Sequence, residues 1–163
     1  MSISLRRSGI GYDAHRFGRG RKLVLGGVEI PHALGLEGHS DADVLTHAIA
    51  DALLGAIGER DIGHHFPNSD ESIRGISSLE ILRRVGAILT QKNCRVANVD
   101  ATLIAEAPKI GPHLEAMRAR ISGALGIDVS RVGIKATTNE GMGAVGRGEG
   151  MAALAVASVE ADE

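Results

Sequence analysis

From Asn98 to Ala105 the chain alternates, with Val99, Ala101, Leu103 and Ala105 on one side and Asn98, Asp100, Thr102 and Ile104 on the other. A period of two over that length makes a strand with one buried face, and such a strand needs a second layer to pack against. Helix-like segments are present to supply it. A helix is expected from Ser40 or Asp41, both good N-caps, through Leu54, with Gly55 or Gly58 near its end. Ser77-Ser78-Leu79-Glu80 has the form of a capping box and opens a second helix reaching about Lys92. Pro112 to Leu125 makes a third, ended by Gly126. Further strands are expected at Ile3-Ser4-Leu5 with Gly9 to His15, at Arg131 to Thr138 and at Met151 to Val159, and a hairpin over Lys22 to Pro31 turning on Gly26-Gly27. The order β, hairpin, α, α, β, α, β, β predicts an α+β fold: a two-layer domain, a mixed β-sheet with helices on one face, plus an extra β-hairpin. At 163 residues, one domain spanning 1–163 is the expectation.

Composition narrows the core and the partners. Aromatics are only 2% with no Trp, so the interior has to be built from Ala, Val, Ile and Leu. The 22 glycines fall in short clusters, which suits tight turns and close backbone approaches. A net charge of -2 argues against a nucleic-acid surface, which is normally basic. No apolar stretch is long enough to span a bilayer, and Arg6 and Arg7 precede no signal-peptide core. Cys94 is alone and forms no internal disulfide, which fits a reducing compartment. Cytoplasmic localisation is the expectation; an organellar enzyme trimmed of its leader would read the same.

Three clusters carry chemistry. Asp13 and His15, two apart on a strand, leave the same face and can chelate a divalent cation; alone, they are better read as an accidental pair. His39-Ser40-Asp41-Ala42-Asp43-Val44-Leu45-Thr46-His47 crowds two His and two Asp into nine residues at a helix start. Asp43, His47 and Asp51 fall at i, i+4 and i+8, a polar stripe among apolar neighbours. His47 is favoured as a third ligand, and an Asp/His/His set leaves one tetrahedral position open, the pattern of a catalytic zinc site. The alternative is an N-cap, a helix-dipole acid and a hydrogen-bonded core histidine. Mn²⁺ suits the same donors. Asp43 and Asp51 are either acceptors for an imidazole N–H or plain helix surface. In the third cluster, Lys135 to Gly143 followed by Gly146-Arg147-Gly148-Glu149-Gly150, hydroxyls and backbone amides suit phosphate oxygens. Glu140 there suits a harder cation such as Mg²⁺; the other reading is an ordinary glycine-rich loop. Acidic groups beside phosphate-type turns imply cations as part of binding.

Taken together, these blocks resemble a known family. Gly11-Tyr12-Asp13-Ala14-His15-Arg16-Phe17, Gly38 to Asp43, Asp61-Ile62-Gly63 with Phe66-Pro67, Ala105-Glu106-Ala107-Pro108-Lys109, Lys135 to Glu140 and Gly146 to Gly150 are similar, in order, to 2-C-methyl-D-erythritol 2,4-cyclodiphosphate synthases of the non-mevalonate isoprenoid pathway. The resemblance implies a phosphorus-oxygen lyase that cyclises CDP-methylerythritol 2-phosphate and releases CMP. It implies Zn²⁺ on Asp13, His15 and His47, and Mg²⁺ or Mn²⁺ held by Glu140 and the substrate phosphates. His39 and Thr138 match residues that stabilise charge during phosphoryl transfer. Asp61, Ile62 and Gly63 match the wall around the methylerythritol part, and Ser40, Phe66, Pro67, Asn68, Ser69, Asp70, Asn139 and Arg147 are expected as further substrate contacts. Ala105, Glu106, Ala107, Pro108, Lys109, Ile110 and Gly111, with Thr137, resemble the cytidine pocket. A homotrimer with active sites between subunits is also implied.

Three positions depart from the family pattern. Asn68 stands where many relatives have Asp, Ala144 where Phe is common, and Tyr12 where another Phe is frequent. The aromatic positions and Arg147 line an axial cavity that holds an isoprenoid diphosphate in some members, and its apolar lining is reduced here. Two other functions fit the clusters: a phosphohydrolase activating water at the Asp/His/His site, and a trimeric binding module with zinc as structural glue.

Overall fold

A computed structural model describes residues 5–161, so the expected strand residues Ile3 and Ser4 lie outside the described residues. Among the described residues the strands are β1 (Leu5–Gly18), β2 (Leu23–Leu25), β3 (Val28–Ile30), β4 (Gly35–Leu36), β5 (Cys94–Ile104), β6 (Val132–Thr137) and β7 (Gly150–Ala161). The helices are α1 (Val44–Ala56), α2 (Ile62–His65), α3 (Ser78–Gln91), α4 (Leu114–Leu125) and α5 (Gly143–Gly146). A five-stranded sheet runs β4-β1-β7-β5-β6, and β2-β3 forms a separate hairpin. β7 pairs antiparallel with both β1 and β5, while β5 and β6 are parallel, with α4 between them in sequence. The expected α+β layering, mixed sheet and extra hairpin are all present.

Alternation decides which face meets the helices. In β7, Ala153, Ala155, Ala157, Val159 and Ala161 are buried, whereas Leu154 and Val156 are exposed. In β1 the covered side carries Gly9, Gly11, Asp13 and His15. Those glycines set how close the helical layer comes. A Cβ on Gly11 would stand 1.9 Å from the Ala48 carbonyl oxygen, and one on Gly9 2.1 Å from that of Ala52. With only hydrogen there, α1 lies directly on β1 and β7. α1 is then covered on its other side by α3, which explains why it is buried nearly all round. The core is aliphatic, as the composition requires, with Leu45, Ile49, Leu53, Leu82, Leu103 and Ile121 among its fully buried members.

One helix starts later than expected, and another starts where expected but with a different cap. α1 begins at Val44, not at Ser40 or Asp41, because Ala42 takes a left-handed φ of 56° that breaks the helix there. Asp43 is the N-cap. Its buried carboxylate accepts from the Thr46 N–H (3.0 Å) and Oγ (2.7 Å), and from Gly26 N–H (2.9 Å) and Gly27 N–H (2.7 Å). One side chain thus caps the helix and pins the hairpin turn to it. Asp41 is spent on the other helix: it accepts from the Ser78 N–H (3.0 Å) and from the Ser78 hydroxyl. The Ser77-Glu80 capping box does not form. Ser77 is the cap by position, but its side chain makes no capping bond, and Glu80 pairs with Arg83 and Arg84.

Candidate active site

The strand pair meets the helix at the end of the sheet where β1 leaves the core. Asp13 and His15 project from one face of β1, and His47 comes down from the first turn of α1. Their ligating atoms all lie within 4.8 Å of one another. Asp13 Oδ2 is 2.9 Å from His15 Nε2 and 3.1 Å from His47 Nδ1, and the two ring nitrogens are 3.4 Å apart. His15 Nδ1 donates to the Glu37 carbonyl at 2.6 Å, and since a carbonyl only accepts, His15 Nε2 is left as the lone-pair nitrogen. Acceptors so close together need a proton or a cation between them. Burial pushes the Asp13 carboxyl up, but hydrogen bonds and charge attraction from His15 and His47 outweigh it and hold the group well below the usual carboxylate range. Burial likewise pulls His15 down, and Asp13 overrides it and raises the imidazole above its ordinary value. One carboxylate oxygen and two imidazole nitrogens, with no thiolate, fit a borderline divalent cation such as Zn²⁺.

The cluster opens into a cleft of about 240 Å³ lined also by Gly38, His39, Ser40, Ile62, Gly63, Phe66 and Asn68. Six of the expected site residues are therefore brought beside Asp13, His15 and His47. His39 Nε2 is buried with no hydrogen-bond partner among the described residues. Arg21 holds the loop that carries His39, donating to the carbonyls of Gly38 and of Ser40 (2.5 Å). Asp61 caps α2 by accepting from the His64 N–H at 2.9 Å, and Asp70 caps a 3₁₀ turn at Ser72. Pro67, Ser69 and Asp70 do not line the cleft. Sequence reasoning missed its apolar wall, Ile73, Ile76 and Ile81, because isolated isoleucines carry no signal until the chain has folded.

A second cleft of about 390 Å³ gathers Ala105, Glu106, Pro108, Lys109, Ile110, Gly111, Thr137 and Thr138. Ala107 is not among its lining residues, although it joins Pro108 through a cis bond. Glu106 accepts from the Asn139 N–H at 2.7 Å and ties the loop after β6 to the loop after β5. Asn139 in turn donates to the Met142 carbonyl at 2.7 Å. Glu140 is exposed, with a left-handed φ of 51°, and its N–H donates to Thr138 Oγ at 3.2 Å. Arg147 is exposed and pairs with Glu149 at 2.8 Å. The two clefts share no lining residue.

Two sequence readings need correction. Asp43 and Asp51 do not accept from the imidazole. Asp43 is consumed as the helix cap, and Asp51 accepts from the Ile62 N–H at 2.8 Å. The groups within reach of His47 Nε2 are Ser78 Oγ at 2.9 Å and Ser40 Oγ at 3.1 Å. Ser78 lies 31 positions away, and its only sequence signal, the capping box, pointed elsewhere.

A metal-type triad held by a strand and a helix, with a separate loop-built cleft on the same α+β frame, defines a small metal-site enzyme class. The chain belongs to the YgbB family, whose model matches residues 6–160, and to the 2-C-methyl-D-erythritol 2,4-cyclodiphosphate synthases. The protein of that name from Alkaliphilus metalliredigens is 60% identical over 94% of this chain and 96% of its own length. The one from Akkermansia muciniphila is 57% identical over 98% and 95%. Among solved structures, the IspF–CDP complex from Plasmodium falciparum superposes with a TM-score of 0.84 at 33% identity, over 99% of this chain and all of that one. The bifunctional IspDF from Campylobacter jejuni gives 0.94 at 37% identity. This chain spans 44% of the bifunctional protein's length and nearly all the length of the single-function relatives.

Proposed function

We propose that this chain cyclises CDP-methylerythritol 2-phosphate to methylerythritol 2,4-cyclodiphosphate. The 2-phosphate oxygen attacks the β-phosphorus of the CDP group, the bond to the bridging oxygen breaks, and CMP leaves with it. The observation that carries this reading is the convergence of Asp13, His15 and His47 at the mouth of a cleft on a chain 60% identical to a named synthase. Asp13, His15 and His47 would hold Zn²⁺, and Glu140 with the substrate phosphates would hold Mg²⁺ or Mn²⁺. When bound, these cations supply charge neutralisation and alignment of the phosphates.

The side chains do the rest. His39, whose buried Nε2 has no hydrogen-bond partner among the described residues, donates to a phosphate oxygen as charge develops on it. Thr138 does the same from the other cleft. Ser40, Asp61, Ile62, Gly63, Phe66 and Asn68 seat the methylerythritol part, and Ala105 to Gly111 with Thr137 seat the cytidine. Phosphoryl transfer needs positioning and charge stabilisation more than covalent help. Holding nucleophile and electrophile in line is worth about 7–11 kcal/mol of barrier in favourable cases.

The metal cluster and the expected nucleotide contacts lie in different clefts, and in the proposed homotrimer the metal cluster of one copy meets the nucleotide cleft of another. The uncovered sheet face, with exposed Ile10, Tyr12, Leu154 and Val156, is the surface available for it. No helix among the described residues is long and apolar enough to cross a membrane, and the enzyme is proposed to work in the cytoplasm. Incubation with CDP-methylerythritol 2-phosphate and Mg²⁺ is expected to yield CMP and the cyclic diphosphate. Orthophosphate with an open-chain product would instead establish the hydrolase reading.

A further inference from the structure

The geometry points to Ser78, held by Asp41, as the residue that fixes the tautomer of His47 and thereby aims the Nδ1 lone pair at Asp13 and His15. This inference rests on reading those three side chains as a metal site, and it concerns what makes one of them a ligand at all.

A neutral imidazole has one N–H and one lone pair, and either nitrogen can carry the proton. His47 offers Nδ1 toward Asp13 and His15 and Nε2 toward the protein interior. Left to itself, a ring beside the Asp13 carboxylate would place its proton on Nδ1, because that proton would sit 3.1 Å from a negative oxygen. Such a ring could not ligate through Nδ1. Something on the Nε2 side has to oppose this.

Two hydroxyls reach Nε2, and they are not equivalent. Ser78 Oγ is 2.9 Å away and donates its single hydrogen to the Asp41 carboxylate. The charged carboxylate is the stronger acceptor and the nearer of the two, so the hydrogen stays on the Asp41 side and Ser78 faces Nε2 with its lone pairs. Nε2 must therefore carry the proton. Ser40 Oγ, at 3.1 Å, accepts from the Ala42 N–H and keeps its own hydrogen free. It can donate to Nε2 or accept from it, and imposes neither tautomer. Asp41 is itself anchored by the Ser78 N–H at 3.0 Å and the Asp43 N–H at 3.3 Å, so the carboxylate cannot swing away. Ser78 is fully buried, which excludes water as a competing donor. The chain Asp41, Ser78, His47 runs with one polarity from a fixed anion to the lone pair at the centre of the cluster. Groups of this kind behind a metal-ligating histidine typically account for 10–100-fold in metal affinity.

Ser78 is a positioning residue, and its role is readable without turnover. In metal-free protein labelled with ¹⁵N, long-range ¹H–¹⁵N correlations report which nitrogen of His47 is protonated. The wild type is expected to show the Nε2–H tautomer. Ser78→Ala removes the obligate acceptor and leaves Ser40 free to donate, so the ring is expected to shift toward Nδ1–H. Zn²⁺ affinity, measured by competition with a chelator, is expected to fall 10–100-fold. Ser78→Thr keeps the hydroxyl and is expected to restore both readouts, whereas Ser40→Ala is expected to leave the tautomer unchanged. Wild-type protein carrying Nδ1–H overturns the proposal whether or not any variant folds, as does a folded Ser78→Ala protein with unchanged tautomer and zinc affinity. Wild type that shows Nε2–H but binds no Zn²⁺ would instead remove the metal-site reading and leave the orienting role standing.

Discussion

Asp51 sits in the middle of an apolar helix, half-buried, with Asp61 and Asp13 close enough to act on it. Burial pushes its carboxyl up most, the Ile62 N–H pulls it back, and the charges of Asp61 and Asp13 add to the upward shift. A carboxyl raised in the folded state favours the protonated fold. Stability is therefore lost as pH rises from the ordinary value of 3.8 to the raised folded value, and the loss stays constant above it. Asp51→Asn keeps an oxygen for the Ile62 N–H and removes the charge. The variant is expected to be more stable than wild type at neutral pH, with a margin that shrinks as pH falls toward 3.8, measured by urea unfolding across that range. A margin independent of pH would mean that Asp51 is not the origin. The sequence put Asp51 on a polar stripe with Asp43 and His47, and the spacing was sound for a helix holding all three. Asp43 is outside that helix, at the cap, so the stripe never forms. Asp13, His15 and His47 were legible because each relation is local: a period of two on a strand, and one histidine among apolar helix neighbours. Ser78 and Asp41 were not, because their contact with each other spans 37 positions and depends on where two helices start.

The contact between β1 and α1 turns this local pattern into a site. Gly9 and Gly11 were visible as strand residues, but a glycine in a strand also reads as a bulge or a turn. Only the packing assigns them the close approach that lowers His47 onto Asp13 and His15. Gly11→Ala would put a methyl carbon 1.9 Å from the Ala48 oxygen and 2.8 Å from the Ala52 nitrogen, both backbone atoms that cannot rotate aside. The helix has to lift. Overpacking of this kind costs about 1–3 kcal/mol, so a lower urea midpoint is expected. His47 adjoins Ala48 and rises with it, so zinc affinity is expected to drop in the same variant. An unchanged midpoint together with unchanged zinc binding would show that α1 rests elsewhere. Element types and order were readable from periodicity, down to the αL glycine that ends α4 at Gly126. The short pieces β4, α2 and α5 were not, since two to four residues are too few to display a period.

At the scale of the whole molecule, the sheet is covered on one side only. On the other, Ile10 stands opposite Val156 and Tyr12 opposite Leu154, two apolar cross-strand pairs with exposures of 71%, 49%, 60% and 41%. Adjacent exposed pairs of this size are a surface that assembly would bury. Val156 is half exposed on the uncovered face, so Val156→Glu is expected to fold and to bind Zn²⁺ as wild type does. It is also expected to run at the chain mass in sedimentation, whereas wild type, as the proposed trimer, is expected to run at three times that mass. If sites are shared between subunits as proposed, cyclase activity is expected to vanish with the assembly. A mixing experiment separates shared sites from mere mutual support. Asp13→Ala breaks the Asp13/His15/His47 cluster and Glu140→Ala removes the proposed ligand of the second cation, and each alone is expected to be inactive. Refolded together, random trimers with sites between neighbours would pair an intact metal cluster with an intact nucleotide cleft at about one site in four. Recovery near that level requires that the two halves come from different chains. No recovery from a mixture that does form trimers means that each chain builds its own site, and the clefts then have to meet within one copy by a movement of the loop after β6.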